Sequence, residues 1–274
     1  MPIPKAILNI ISHRELLSAL ALKDLRVRYK QAYFGIAWSV LRPLLLVAIF
    51  ILVRSFVGID SGATPYPVLT FAALIPWVFF QEATTDCIHS IVANAMLVRK
   101  IYFPREIFLY SALAGKLVEL AINLLLLTVL MPIFHITPSI HILWLPLLVA
   151  YAMAASLAIG LIGATLNIFY RDIGSLLPIA LSVLMYLSPI IYPLSLVQRT
   201  LLVEHKAGTW SSALYFLYTC NPLAGMIDAF QRTLLQQAPP APASLLPGVL
   251  LTGVLLTIGY SAFKRFEPEF ADVI

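Results

Sequence analysis

Charge is the scarcest property of this chain. Asp, Glu, Lys and Arg make up 11% of its 274 residues, whereas 61% are hydrophobic; soluble domains carry about 25% charged residues. Mean hydropathy is +0.92. So little polar surface cannot cover a core of this size, which excludes a water-soluble globular protein and predicts an integral membrane one. Cysteine is nearly absent as well. Cys87 and Cys220 lie far apart, so no disulfide framework or cysteine metal cluster is expected, and Cys87, inside an apolar stretch, reads as a small buried hydrophobe. The chain has no GxxxxGK[ST] loop, no GxSxG, no HExxH and no paired CxxC. It therefore has no motif for hydrolysing a nucleotide, and any work it performs must draw on a partner or an ion gradient. No metal site and no nucleic-acid partner are expected. The opening "MPIPKAILNIISHRELLSAL" is interrupted early by His13, Arg14 and Glu15 and does not read as a cleaved signal peptide.

What the chain has is long apolar runs. A bilayer-crossing helix needs about 20 of them in a row, and six stretches qualify: roughly 36–57, 67–97, 107–134, 142–168, 174–194 and 244–263. The expected fold is an all-α integral membrane protein with six transmembrane helices, a cytoplasmic N-terminal segment over 1–35 and a single membrane domain over 36–274. An even number of crossings puts both termini on one side. With that side inside, the inner segments hold thirteen Lys and Arg residues, Lys116 among them, and the outer segments hold Arg54, Arg199, Lys206 and Arg232, with Arg42 left in the first span. That bias assigns both termini to the cytoplasm.

Two segments are neither spans nor plain loops. Over 13–35, Leu16, Leu17, Leu20, Leu25 and Tyr29 approximate one helical face, with Lys23, Asp24, Arg26, Arg28 and Lys30 elsewhere. This reads as an interfacial amphipathic helix on an anionic leaflet or as a plain juxtamembrane anchor. Over 211–235, two apolar runs break at Asn221-Pro222. Each is too short to span, so a re-entrant pair or short external helices are expected, followed by a proline-rich connector at 236–247.

Candidate functional residues are few. Glu82, Asp86 and His89 share a helical face and read either as a proton relay or as polar groups near a cytoplasmic helix end. Arg42-Pro43 interrupts the first span; Arg42 either snorkels or meets an anionic cargo group. Trp38, Trp77, Trp144 and Trp210 lie near span ends, as interfacial belts do. Phe79, Phe80, Tyr151, Tyr186, Tyr192, Tyr215 and Tyr218 sit in spans or at pore mouths; they read as core or lipid-facing rings, or as flat surfaces over which sugars slide.

The connection "LVRKIYFPREIF" at 97–108 carries four charges, aromatic residues and a proline. The position before proline is pushed out of the helical region, while proline suits a first helical turn. A short helix should therefore end near Phe103, and Pro104 should start the next one with Glu106 in its first turn, favoured there by the dipole. The result is a stiff elbow. Ile101, Tyr102 and Phe103 form its apolar tip, and Arg99, Lys100 and Arg105 point into water or at a partner. A mere connector needs no such tip; a knob that docks in a groove does, and so does an elbow dipping into headgroups.

The chain resembles the membrane subunits of ABC-type polysaccharide exporters, among them the O-antigen and teichoic-acid exporters. The resemblance runs almost end to end. It rests on "LKDLRVRYKQAYFGIAWSVLRPLLL" (22–46), "SIVANAMLVRKIYFPREI" (90–107), "LNIFYRDIGSLLP" (166–178), "SPIIYP" (188–193), "YTCNPLAGMIDAFQRTLL" (218–235) and "FKRFEPEFADVI" (263–274). It implies a homodimer in the bacterial inner membrane with two cytoplasmic ATPase subunits, which hold the ATP and magnesium. It implies a polyprenyl-pyrophosphate-linked glycan as cargo. The elbow over Arg99, Lys100, Ile101, Tyr102, Phe103, Pro104, Arg105 and Glu106 becomes the coupling helix, residues 211–235 become external gate helices, and the first and fifth spans line a channel. Arg26, Arg28, Lys30 and Arg42 are then the candidates for the cargo entrance, since cationic side chains suit phosphate. Phe79, Phe80, Tyr186, Tyr192, Tyr215 and Tyr218 are the candidates for channel and gate. Competing readings are an exporter of lipid or drug on the same architecture, a membrane enzyme acting on polyprenyl-linked sugars, and a proton-coupled transporter using Glu82 and Asp86.

Overall fold

A computed structural model of the chain describes residues 12–29, 37–57, 64–101, 103–204 and 209–274. Among them every regular element is helical. In chain order the helices are α1 (Arg14–Tyr29), α2 (Ala37–Val57), α3 (Tyr66–Ala93), α4 (Ala95–Lys100), α5 (Glu106–Ile133), α6 (Leu145–Phe169), α7 (Asp172–Tyr186), α8 (Leu194–Arg199), α9 (Thr209–Cys220), α10 (Pro222–Leu234), α11 (Pro242–Phe266) and α12 (Phe270–Val273).

Among the described residues, four stretches are long and apolar enough to cross a membrane: Tyr66–Ala93, Glu106–Ile133, Ile140–Phe169 and Pro242–Val273. The helix α3 is the axis of the bundle. Outside the stretch that carries Glu82, Asp86 and His89 it is apolar on every side, and 83% of its most apolar window is buried, against 28–39% for the other three. A helix without a polar face is stable only when other helices surround it. The helices α5 and α6 supply most of that cover, with α10 and α2 on other sides, and α11 closes against α6. Small residues allow the closest approach: a Cβ at Gly160 of α6 would lie 2.6 Å from Cβ of Cys87 on α3. That crossing uses backbone proximity where a bilayer offers no hydrophobic force between helices, and it keeps Cys87 fully buried, as its apolar surroundings predict.

Contacts fix the two ends of the bundle. The Arg42 guanidinium reaches Glu82 at one level and Arg54 lies 4.7 Å over the Tyr66 ring at the other, so α2 runs antiparallel to α3. At the Tyr66 end, the Tyr66 hydroxyl donates to the Ile191 carbonyl (2.9 Å). At the opposite end, Phe169 stacks edge-on against Phe266. The chain between Phe169 and Ile191 thus runs from one end of the bundle to the other. Its helix α7 stops at Tyr186 after 15 residues, short of the expected 174–194, because Ser188 precedes Pro189 and a residue before proline leaves the helical region.

The second span also ends earlier than its expected residue 97. The helix α3 breaks at Asn94, whose amide donates back to the Ser90 carbonyl (2.8 Å) and whose side-chain oxygen accepts from Lys23 of α1 (3.0 Å). The N-terminal helix α1 packs on α5 and buries Leu20, with Leu16 and Leu17 half-buried against the core, on the side that their spacing selects. At its C-terminal end, α5 closes in a Schellman motif: Ile136 N–H bonds the Met131 carbonyl, and His135 takes the left-handed conformation usually given to glycine (φ 57°). The break at Asn221-Pro222 falls where expected. Asn221 caps α10 by accepting from Leu223 N–H (3.0 Å), with Pro222 at the first helical position. The helix α10 packs against α11, α3 and α6, and Gln231 donates to the Leu69 carbonyl of α3.

Candidate functional site

The elbow between α3 and α5 is built from α4 and residues 101–105. Its short helix ends at Lys100, three residues before the expected Phe103, and Ile101 is already extended (φ −129°, ψ 130°). The β-branched and aromatic run that follows has low helix propensity, and it stops the helix before the proline can. Arg99 and Lys100 are exposed, as is Ile101 at 55%. Tyr102 lies outside the described residues. Phe103 is not part of an open tip: it is half-buried and stacks edge-on against Phe108 of α5, centroids 5.2 Å apart. Pro104 opens the turn, its carbonyl accepting from Ile107 N–H, and Glu106 begins α5.

Of the elbow's charges, Arg99 and Lys100 reach the surface, whereas Arg105 and Glu106 are held by other parts of the chain. Glu106 is completely buried and pairs with Lys264 of α11 at 2.5 Å; Lys264 also holds Glu267 at 2.9 Å. Arg105 N–H donates to a Glu267 carboxylate oxygen (2.9 Å), and the Arg105 guanidinium donates to the Glu267 carbonyl. Arg99 donates to the main-chain oxygen of Ile274. Among the described residues, the exposed apolar side chains of the elbow are Met96 on α4 and Ile101, which follows the exposed Arg99 and Lys100.

A second charged group lies inside the bundle. Lys116 is on α5, not in a loop, and is 4% exposed. Its ammonium sits 2.6 Å from Glu82, 3.4 Å from Asp86 and 3.6 Å from Glu119, and Arg42 meets Glu82 from the other side at 2.8 Å. The spacing of Glu82, Asp86 and His89 identified the acidic face of α3; nothing local to Lys116 identified its partner. Burying an ammonium among carboxylates neutralises charges that the apolar interior would otherwise exclude. A cleft of about 410 Å³ opens beside this group, lined by Lys23, Asp24, Asp86, His89, Ser90 and Asn94 among others. Of the expected entrance cations, Arg26 is exposed on α1 and Arg42 keeps 59% of its side chain exposed while bound to Glu82. The Arg28 side chain and Lys30 lie outside the described residues.

The aromatic candidates divide. Phe79 and Phe80 are 4% and 1% exposed and belong to the packed interior of α3, so in this conformation neither offers a face to a channel. The tyrosines gather instead at the end of the bundle away from the elbow. The Tyr192 hydroxyl lies 3.3 Å from that of Tyr218 and donates to the Tyr186 carbonyl (3.2 Å), Tyr186 is exposed, and Tyr215 is half-buried one turn before Tyr218. Tyr151 is also buried, its hydroxyl donating to the Pro222 carbonyl. No cluster of His, Cys, Asp and Glu suited to a metal occurs among the described residues.

Comparison with known proteins covers nearly the whole chain. Residues 15–235 match the family model described as ABC-2 type transporter. The chain is 27% identical over 266 residues to an O-antigen export system permease protein, RfbA, of Klebsiella pneumoniae, covering 95% of both chains. It is 24% identical to the protein of that name in Myxococcus xanthus, over 97% of this chain and 98% of the relative. It is 25% identical to the polysialic acid transport protein KpsM of Escherichia coli, over 91% and 92%.

Proposed function

The chain belongs to the ABC-2 type transporter family, and on that premise we propose that it is the membrane subunit of an ATP-driven exporter of a polysaccharide. The observation that carries this reading is the elbow. Two membrane-length helices, α3 and α5, are joined by a short connection that presents Met96 and Ile101 beside the exposed cations Arg99 and Lys100. A chain with no nucleotide-binding motif needs such a contact to receive work from an ATPase. Two chains and two ATPases form the complex. Elbow and termini lie in the cytoplasm, which agrees with the placement of α1, the elbow and the tail at one end of the bundle and with the excess of Lys and Arg there. The span count in this reading is six. The fifth crossing is made by α7 and the segment to Ile191, and the first by α2, which is 21 residues long.

The cargo is a glycan carried on a lipid phosphate. Support comes from the names of the relatives, which are an O-antigen export permease and a polysialic acid transport protein. It comes also from the exposed cations Arg26 on α1 and Arg42 on α2, and from the tyrosine cluster at the opposite end, whose ring faces and hydroxyls suit sugars. A proton-coupled transporter is disfavoured: Glu82 and Asp86 both lie within ion-pair distance of Lys116. The test is export in cells whose own copy is deleted. The wild-type chain, expressed with its ATPase, restores surface polysaccharide, and Arg26→Gln with Arg42→Gln lowers it while the protein still reaches the membrane. Full export by the double variant removes these two residues from the entrance. Failure of the wild-type pair to restore polysaccharide, with both proteins assembled, rejects the cargo.

A further inference from the structure

The tail "FKRFEPEFADVI" is part of the sequence pattern that the proposed function leaves unused. We propose that residues 264–274 form a strap that makes the end of α11 and the end of α6 part of the coupling element. This proposal rests on the reading of the elbow as the ATPase contact. By covalent connection alone, the elbow could move only α3 and α5.

The strap binds the elbow at three points. Lys264 pairs with the buried Glu106 and with Glu267, so one ammonium ties the first residue of α5 to the end of α11. Arg105 is held twice by Glu267, through its own N–H and through its guanidinium, which also lies 5.8 Å over the Phe270 ring. Arg99 donates to the main-chain oxygen of Ile274. On its other side the strap is anchored by rings. Phe270 is fully buried against Phe263 (5.2 Å) and Phe169 (6.4 Å), and Phe169 stacks on Phe266 (5.7 Å). Edge-to-face ring pairs and charge-assisted hydrogen bonds are directional, so they pass on displacement and do not simply slide. Four membrane-length helices thus meet at one elbow. A small cleft of about 310 Å³ between Phe103, Pro104, Arg105, Lys264, Glu267 and Pro268 lies along this junction.

The experiment uses the full chain in complex with its ATPase, reconstituted in vesicles loaded with lipid-linked glycan. Phe270→Ala, Lys264→Met and Lys264→Arg are compared with wild type for complex yield, melting temperature, ATP hydrolysis and glycan exported per ATP. The strap predicts that Phe270→Ala and Lys264→Met keep the complex and hydrolyse ATP while export per ATP falls about fivefold or more, and that Lys264→Arg restores most of it. Unchanged export per ATP overturns the proposal. A loss of complex and export in equal proportion also overturns it, because the tail then serves folding or docking and not transmission. Ile101→Ser, run in parallel, separates the two readings. If that variant keeps the complex and exports normally, the elbow is not the ATPase contact, whatever the strap variants do.

Discussion

Lys116 sits well inside α5 with three carboxylates within 3.6 Å of its ammonium. Replacing it by methionine keeps an unbranched apolar stem one atom shorter and strands those carboxylates in the bundle. Removing one partner of a buried ion pair costs about 3–5 kcal/mol, so Lys116→Met should lower the melting temperature of the purified protein sharply. Asp86→Asn should cost less than Glu82→Gln, because Asp86 is farther from Lys116 and more exposed (33% against 18%). Equal melting temperatures for Lys116→Met and wild type would show that the cluster carries no stability. Glycine gives a second residue-scale test. A Cβ at Gly225 would lie 2.2 Å from the Ser244 main-chain oxygen and 2.8 Å from the Leu245 Cα, whereas one at Gly115 meets nothing within 4 Å. Backbone cannot swing away as a side chain does. Gly225→Ala should therefore part α10 from α11 at about 1–3 kcal/mol, and Gly115→Ala should stabilise α5 by about 0.5–1 kcal/mol. The two melting curves, taken side by side, check the contact.

At the scale of elements, the elbow decides which substitutions report on docking. Phe103 and Arg105 look like docking residues in the sequence, yet Phe103 packs on Phe108 and Arg105 is bound by Glu267, so changing them disturbs the chain itself. Among the described residues of the elbow, Ile101 and Met96 are the apolar side chains left in the open, and Ile101 lies nearer the turn. Ile101→Ser should lower co-purification of the ATPase with no change in melting temperature; intact co-purification would move the contact elsewhere. This division shows what local sequence can and cannot carry. Apolar length located α3, α5, α6 and α11, and Pro104 and Asn221-Pro222 located two breaks, because helix formation and proline geometry are properties of a few adjacent residues. The stops at Asn94 and Tyr186 fell earlier than hydropathy alone suggested, since hydropathy does not register a capping amide or a residue before proline. Lys116, Lys264 and Glu267 escaped as site residues because their partners are 34 to 162 positions away. For a related reason Phe79 and Phe80, which are buried, read from the sequence as core, lipid-facing or channel rings alike: an aromatic among apolar neighbours gives no sign of whether lipid, channel or protein covers it.

For the whole molecule, α3 is enclosed, while α5, α6 and α11 leave most of their apolar windows outside the protein interior. That outer surface is suited to hydrocarbon chains and, in the proposed assembly, to a second copy. The complex purified with its ATPase in mild detergent should have the mass of two copies of each chain, and a mass of one of each would remove the homodimer. The central claim is that ATP hydrolysis by a separate subunit drives a lipid-linked glycan through this chain. Its most direct test is transport in sealed vesicles holding the chain and its ATPase, with the glycan supplied on the elbow side and membrane potential and pH gradient collapsed by ionophores. The account predicts that glycan reaches the opposite side only when ATP is present and continues without any gradient. Transport that persists without ATP, or stops when the gradient is removed, would contradict it.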